Sequence, residues 1–148
     1  MVLSLGQLGQ ASILMALALS LYAVVVGGVG ALRRDARLQT SARFTAIAVF
    51  LATTTGIAVI EVGLLMNDFS MKYVAEHSSV ASPTWVKVVT LWAALEGSIL
   101  LWAWLLTAYT AVLALTAPNN VLRSWALVIM QSVQMFFISV VAFVANPF

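Results

Sequence analysis

Two carboxylates interrupt an otherwise apolar chain: Glu61 in VIEVGLL and Glu96 in LWAALEGSILLWAW. A charged side chain at the centre of a membrane helix costs roughly 2.5–3.5 kcal/mol on insertion scales, so lipid-facing packing gives no reason to keep one there. Glu61 lies six residues before Asn67, about 9 Å below the end of its stretch at helical rise. Glu96 lies eight residues past Val88, roughly 12 Å below the same surface by the same rise. Two acids at similar depth are expected either to line one polar cavity or, protonated or snorkelling, merely to orient their helices.

Aromatic residues surround the second acid. Trp92, Glu96, Ala103 and Thr107 fall on one helical stripe, with Trp85 seven residues before Trp92. A neighbouring stripe holds Ser98, Trp102, Leu105 and Tyr109. Such a groove suits a flat hydrophobic ligand; it equally suits ordinary packing, with Trp85 as an interfacial anchor. His77, the one histidine, is a possible ligand or titrating group or a solvated loop residue. Gln131 and Gln134 are three apart and share a helix face, where side chains of this kind hydrogen-bond across helices. No Ser/His/Asp set, phosphate-cradling glycine loop or metal-spaced ligand cluster is present.

The elements that position these groups follow from composition. The 148 residues are 63% hydrophobic and 8% charged, against about 25% charged in soluble domains. The chain is an integral membrane protein. Cysteine is absent, which excludes disulfides, thiolate catalysis and cysteine-held metal. Four apolar stretches, near Ala11–Leu32, Ala42–Met66, within Val86–Leu115 and Trp125–Val144, each reach the length of about 20 residues that crosses a bilayer. The fold class is all-α and polytopic, since irregular backbone cannot face lipid. Met1–Gln10 lacks Lys and Arg, so the first stretch reads as a retained span rather than a cleaved signal.

Arg33, Arg34, Arg37 and Arg43 against Asp35 make the first connection cytoplasmic by the positive-inside rule. Both termini and the loop Asn67–Thr84 are then outside. Pro83 suits a helix start. Ala48, Ala52 and Gly56, and separately Gly27, Gly28 and Gly30, form small-residue faces for close helix approach. No repeat, linker or second domain is visible.

Several motifs occur in order: Leu5–Gly9; Arg34-Asp35-Ala36-Arg37 followed by Ser41-Ala42-Arg43; Asn67-Asp68-Phe69-Ser70-Met71-Lys72-Tyr73-Val74-Ala75; Trp92 to Trp102; and Asn146-Pro147-Phe148. On these the chain resembles, over nearly its whole length, the N-terminal part of the CcmF family of cytochrome c-type biogenesis proteins, membrane components of a haem lyase. The family pattern W-G-x-[HQ]-E-G-S-L-L-L-W is matched at Trp92, Glu96, Gly97, Ser98 and Trp102. Ala93 replaces its Gly and Leu95 its His or Gln, so the polar role of that last position is lost.

The resemblance implies a role in cytochrome c maturation: handling haem at the outer face of the bacterial inner membrane and helping attach it to apocytochrome c. It implies haem as cofactor, with ligands outside this chain, because the family's WWD segment and most of its histidines lie beyond the matched region. It carries Glu96, Gly97, Ser98 and Trp102 forward as haem-handling candidates, which Trp92 and Glu61 join as groove or polar-cavity candidates from the residue reading above, and it places Asn67, Asp68 and Tyr73 in a periplasmic loop. Implied partners are other haem lyase subunits, a haem carrier protein, apocytochrome c and the remaining part of the same protein, with membrane lipid and no nucleic acid. Residues 1–148 are then one N-terminal transmembrane module of a truncated or split protein, without a catalytic motif of its own. Two other readings stay open: a proton- or small-molecule-transporting subunit using Glu61 and Glu96, and a structural subunit packing by its Gly/Ala faces.

Overall fold

The computed structural model describes residues 4–148 as helices joined by short connections. In chain order these are α1 (Leu5–Arg33), α2 (Ala36–Met66), α3 (Lys72–His77), α4 (Thr84–Thr90), α5 (Leu95–Thr116) and α6 (Val121–Phe143). Among the described residues, α1, α2, α5 and α6 are the four helices long and apolar enough to cross a membrane. Helix α1 packs against α2 and α6, and α5 packs against the same two, so the four close into a bundle.

Three of the apolar stretches begin before their sequence-predicted bounds, the last of them at Val121. Helix α1 begins at Leu5 because Ser4 and Gln7 form a reciprocal capping box, which satisfies two otherwise orphaned backbone donors. Helix α2 begins at Ala36 because the Asp35 carboxylate accepts from the Arg37 and Leu38 amides. The arginine-rich segment is thus mostly helix, and Arg34 turns the chain at φ 54°.

The third stretch departs more sharply. It is not one helix over Val86–Leu115. It divides into α4 and α5 around a non-helical break at Leu91–Ala94. Trp92 therefore does not share a helical stripe with Glu96, Ala103 and Thr107.

The small-residue faces are used inside the chain. A Cβ on Gly56 would lie 2.8 Å from Ile13 Cδ1, so α1 itself occupies the Ala48/Ala52/Gly56 stripe of α2. Gly27 faces Ala42 and Val128, and Gly30 faces the backbone of Gln39. Gly28 meets nothing within 4 Å.

The core between the spans is partly polar. Thr53 of α2 and Thr107 of α5 share a hydroxyl–hydroxyl bond of 2.8 Å, both fully buried. The Thr110 hydroxyl donates to Gln134 Oε1 at 2.9 Å, and Gln134 donates to Gln131. Trp104 Nε1 donates to Thr54 Oγ1 at 2.9 Å. Such bonds fix which helix faces meet, since apolar lipid supplies little drive of its own to bring helices together.

The bundle has two unlike ends. At one, the α1–α2 turn and the α5–α6 turn sit together: Gln39 Nε2 donates to Gly30 O, and Ser124 Oγ donates to Gln39 Oε1. This arginine end carries Arg33, Arg34, Arg37, Arg43 and Arg123. At the other end, the start of α1, the segment 67–94 and the C-terminal Asn146-Pro147-Phe148 gather. We refer to it as the carboxylate end.

Candidate functional site

The carboxylate end is built around Tyr73. Helix α2 stops at Asn67, which caps it at φ 57°, a conformation Asn adopts more readily than most residues. Asp68 then turns the chain by accepting from the Ser70 amide and hydroxyl. This turn delivers α3, and with it Tyr73, into the bundle, where Tyr73 is 1% exposed. Met71 and Val74 are buried with it.

The Tyr73 hydroxyl donates to the carbonyls of Thr90 (2.7 Å) and Leu91 (2.9 Å). Thr90 O also accepts from the Ala93 amide at 3.0 Å, whereas Leu91 O is an orphan acceptor past the end of α4, which needs a partner when buried. Ser98 Oγ donates to the next carbonyl, Trp92 O, at 3.0 Å. Gly97 lets the break approach: a Cβ there would lie 1.7 Å from Leu91 O and 2.5 Å from the Tyr73 hydroxyl. Gly97, Ser98 and Tyr73, two elements earlier in the chain, thus form one lock, holding Leu91–Ala94 out of helical geometry.

Other motif residues join the same end. The Tyr73 amide donates to Pro147 O at 3.4 Å. The Phe148 ring sits against Gly9, where a Cβ would come within 2.1 Å of it. Phe148 N donates to Asn146 Oδ1 at 2.9 Å. Lys87 is buried and donates from Nζ to Asn67 Oδ1 at 2.6 Å. His77 stacks on the Tyr73 ring with centroids 4.6 Å apart, and its Nδ1 lies 3.1 Å from Tyr73 O. The geometry gives His77 a packing role. Among the described residues no group of His, Cys, Asp or Glu is placed to hold a metal ion.

Glu96 is the second residue of α5. It stands in a first helical turn, where the helix dipole favours an anion, and not in the middle of a continuous span. Burial pushes the Tyr73 phenol above its ordinary value. The Ala94 amide acts in the opposite direction, and Glu96 and then Glu61 act in the same direction as burial. Glu61 stands near the end of α2 and Glu96 at the start of α5. Each is partly exposed.

Beside the lock runs an open groove of about 390 Å³ lined by Trp92, Ser98, Leu101, Trp102 and Leu105. The break supplies Trp92 and the first three turns of α5 supply the rest. Trp92 and Trp102 are 49% and 61% exposed, so their rings are available to a ligand. Neither Glu61 nor Glu96 lines this groove. Ala103 and Thr107 are buried on the opposite side of α5, toward α2. The sequence-predicted residues thus separate into a groove (Trp92, Ser98, Trp102), a lock (Tyr73, Gly97, Ser98, with Asn67 and Asp68 as its turn), and two flanking acids. Sequence reasoning missed the structural weight of Tyr73 and Lys87; Tyr73 fell in the polar loop and Lys87 just beyond it, at the start of the third apolar stretch.

The groove presents a mainly apolar surface. It offers two indoles and leucine side chains, and its one hydroxyl, Ser98, already serves the Trp92 carbonyl. It contains no histidine, methionine or carboxylate side chain.

No family model matches the chain. Among curated proteins it is 33% identical over 144 residues to the cytochrome c-type biogenesis protein CcmF of Escherichia coli, covering 96% of this chain and 22% of that protein. It is 30% identical over 146 residues to CcmF of Haemophilus influenzae, with 97% and 22% covered, and 29% identical to NrfE of the same organism over 146 residues, with 97% and 23% covered. Among solved structures, a chain described as Cytochrome c Heme Lyase CcmF superposes with a TM-score of 0.94 at 37% identity, over 99% of this chain and 25% of that one. The chain spans about 22% of the length of the curated relatives it matches.

Proposed function

The chain is homologous to the N-terminal part, about 22%, of CcmF-type cytochrome c biogenesis proteins, and from that premise we propose that it is the N-terminal membrane module of a haem lyase. In this reading it acts with the remainder of a CcmF-type protein, in the same chain or a separate one, to attach haem to apocytochrome c. The observation that carries the proposal is the agreement in backbone, a TM-score of 0.94 over 99% of the chain. The agreement spans the lock and the groove.

The five arginines of one end support a cytoplasmic location for that end by the positive-inside rule. The carboxylate end, with both termini, then faces the periplasmic side of the inner membrane. We assign the groove of Trp92 and Trp102 to contact with the apolar face of haem. Any residue that ligates the iron would lie elsewhere in the assembled protein, since the groove holds no such side chain. The work of this chain's residues is to hold the ring surface in place: Tyr73 and Ser98 fix the break, and the break fixes Trp92. Haem, when bound, supplies the macrocycle whose vinyl groups become the covalent attachment points.

A chimera tests the reading. The matched region of Escherichia coli CcmF is replaced by residues 1–148 of this chain, in cells lacking their own CcmF. Covalently bound haem on a c-type cytochrome is then measured on denaturing gels. The proposal expects haem attachment to be restored. A chimera that accumulates in the membrane but yields no covalent haem would overturn it.

A further inference from the structure

The arginine end has a feature that the haem reading does not use. Between the end of α5 and the start of α6 lies a groove of about 220 Å³, lined by Leu113, Ala117, Pro118, Leu122, Ala126 and, at its polar edge, Asn120 and Arg123. Arg123 is only 9% exposed. Its Nη1 donates to Ala117 O at 3.1 Å and its Nη2 to Asn119 Oδ1. A guanidinium carries five N–H donors, so these two bonds leave others unused.

A second guanidinium, that of Arg43, belongs to the same end of the bundle. Ala46 of α2 packs with Ala114 and Leu127, near the α5–α6 turn. Arg43 precedes Ala46 by three residues, which places it on the same face of α2, one turn nearer that end. Its Nε is buried and has no hydrogen-bond partner. A buried unpaired donor of this kind carries a real desolvation cost, and an anion would relieve it. The only acid near this end is Asp35, whose carboxylate already caps α2.

We propose that Arg43 and Arg123 bind the phosphate of an anionic phospholipid, whose acyl chain lies in the Leu113/Ala117/Leu122/Ala126 groove. Charge complementarity selects the headgroup: five arginines face one committed carboxylate. The continuous apolar lining on the flank of two spans selects a lipid over free phosphate. Phosphate–guanidinium pairing is charge-assisted and commonly bidentate.

The test uses the 148-residue chain purified in mild detergent and the lipids it retains, measured by native mass spectrometry. Synthetic phosphatidylglycerol and phosphatidylcholine are offered in competition at about 0.5 M salt, where exposed charges are largely screened. Arg43→Gln is the main variant, because its Nε makes no hydrogen bond within the protein. Arg123→Gln is secondary, because it also removes bonds that hold the α5–α6 turn. Arg34→Gln, at an exposed position, is the control. The expected result is preferential retention of phosphatidylglycerol, weakened about fivefold by Arg43→Gln and unchanged by Arg34→Gln. Equal retention of the two lipids, equal loss with Arg34→Gln, or displacement by inorganic phosphate alone would overturn the proposal. This outcome does not depend on the haem reading, since no cytochrome or haem enters the experiment.

Discussion

Replacing Gly97 with alanine is expected to destabilise the protein by about 3 kcal/mol, the upper range for forcing a methyl into a packed site. The new Cβ would stand 1.7 Å from Leu91 O, 2.9 Å from Leu91 C and 2.5 Å from the Tyr73 hydroxyl. Two of these atoms are backbone, so no rotamer change relieves the clash. Moving Leu91 away would pull its carbonyl from Tyr73 and the next one from Ser98. Reversible unfolding in a mild detergent by a denaturing one measures the loss. Gly28→Ala is the comparison, because a Cβ there meets nothing within 4 Å. It should be neutral or slightly stabilising, as Ala exceeds Gly in helix propensity. Equal stability of the Gly97 and Gly28 variants would refute the lock.

Tyr73→Phe tests the same lock from its other side. It removes a hydroxyl from two buried carbonyls, Thr90 and Leu91, without changing the packed ring. The Leu91 carbonyl loses its donor, for an expected cost of roughly 1–3 kcal/mol. Opening should be local, so hydrogen exchange at Leu91–Ala94 should rise more than exchange within α1 or α6. The phenol also predicts a sign for pH dependence. Its pKa is raised by burial above the ordinary value of about 10. The folded state therefore holds the proton more tightly than the unfolded chain. Its contribution is fully present below about pH 10 and is lost as the pH climbs through the folded value. The parent protein should weaken in that alkaline window, and the Phe variant should lack that part of the loss.

The spans were legible because hydropathy and length alone decide them. Their ends were less so. Asp35 stands next to a cluster of arginines, which reads as a loop, yet its carboxylate starts α2. The break at Leu91–Ala94 carried no local signal at all: LWAA contains neither Gly nor Pro. It exists because a tyrosine 17 residues away in sequence reaches Thr90 O and because Gly97 leaves room. A helix-period reading across an apparently continuous apolar run therefore assigned Trp92 to a stripe it does not occupy. The same break creates the groove, by setting Trp92 beside Trp102 instead of below it. The Thr53–Thr107 pair was hidden for another reason. A threonine in a helix can bond its own preceding turn, so its type says nothing about a partner on another helix.

The order of the motifs also takes on physical meaning. The start of α1, the Asn67–Tyr73 turn, the Glu96-Gly97-Ser98 triplet and the Asn146-Pro147-Phe148 segment are far apart in sequence. In the fold they meet at one end, linked through Phe148 against Gly9, Pro147 O to the Tyr73 amide, and Tyr73 to the break. The resemblance thus rests on residues that depend on one another.

The most direct test of the account is haem attachment by the CcmF chimera carrying Trp92→Ala together with Trp102→Ala. Both rings are exposed in the groove, so their removal should leave the lock and the membrane level of the protein intact. The account expects covalent haem on the c-type cytochrome to fall roughly tenfold, the equivalent of about 1.4 kcal/mol of lost aromatic contact. Haem attachment equal to that of the unmodified chimera would contradict the assignment of this groove to haem.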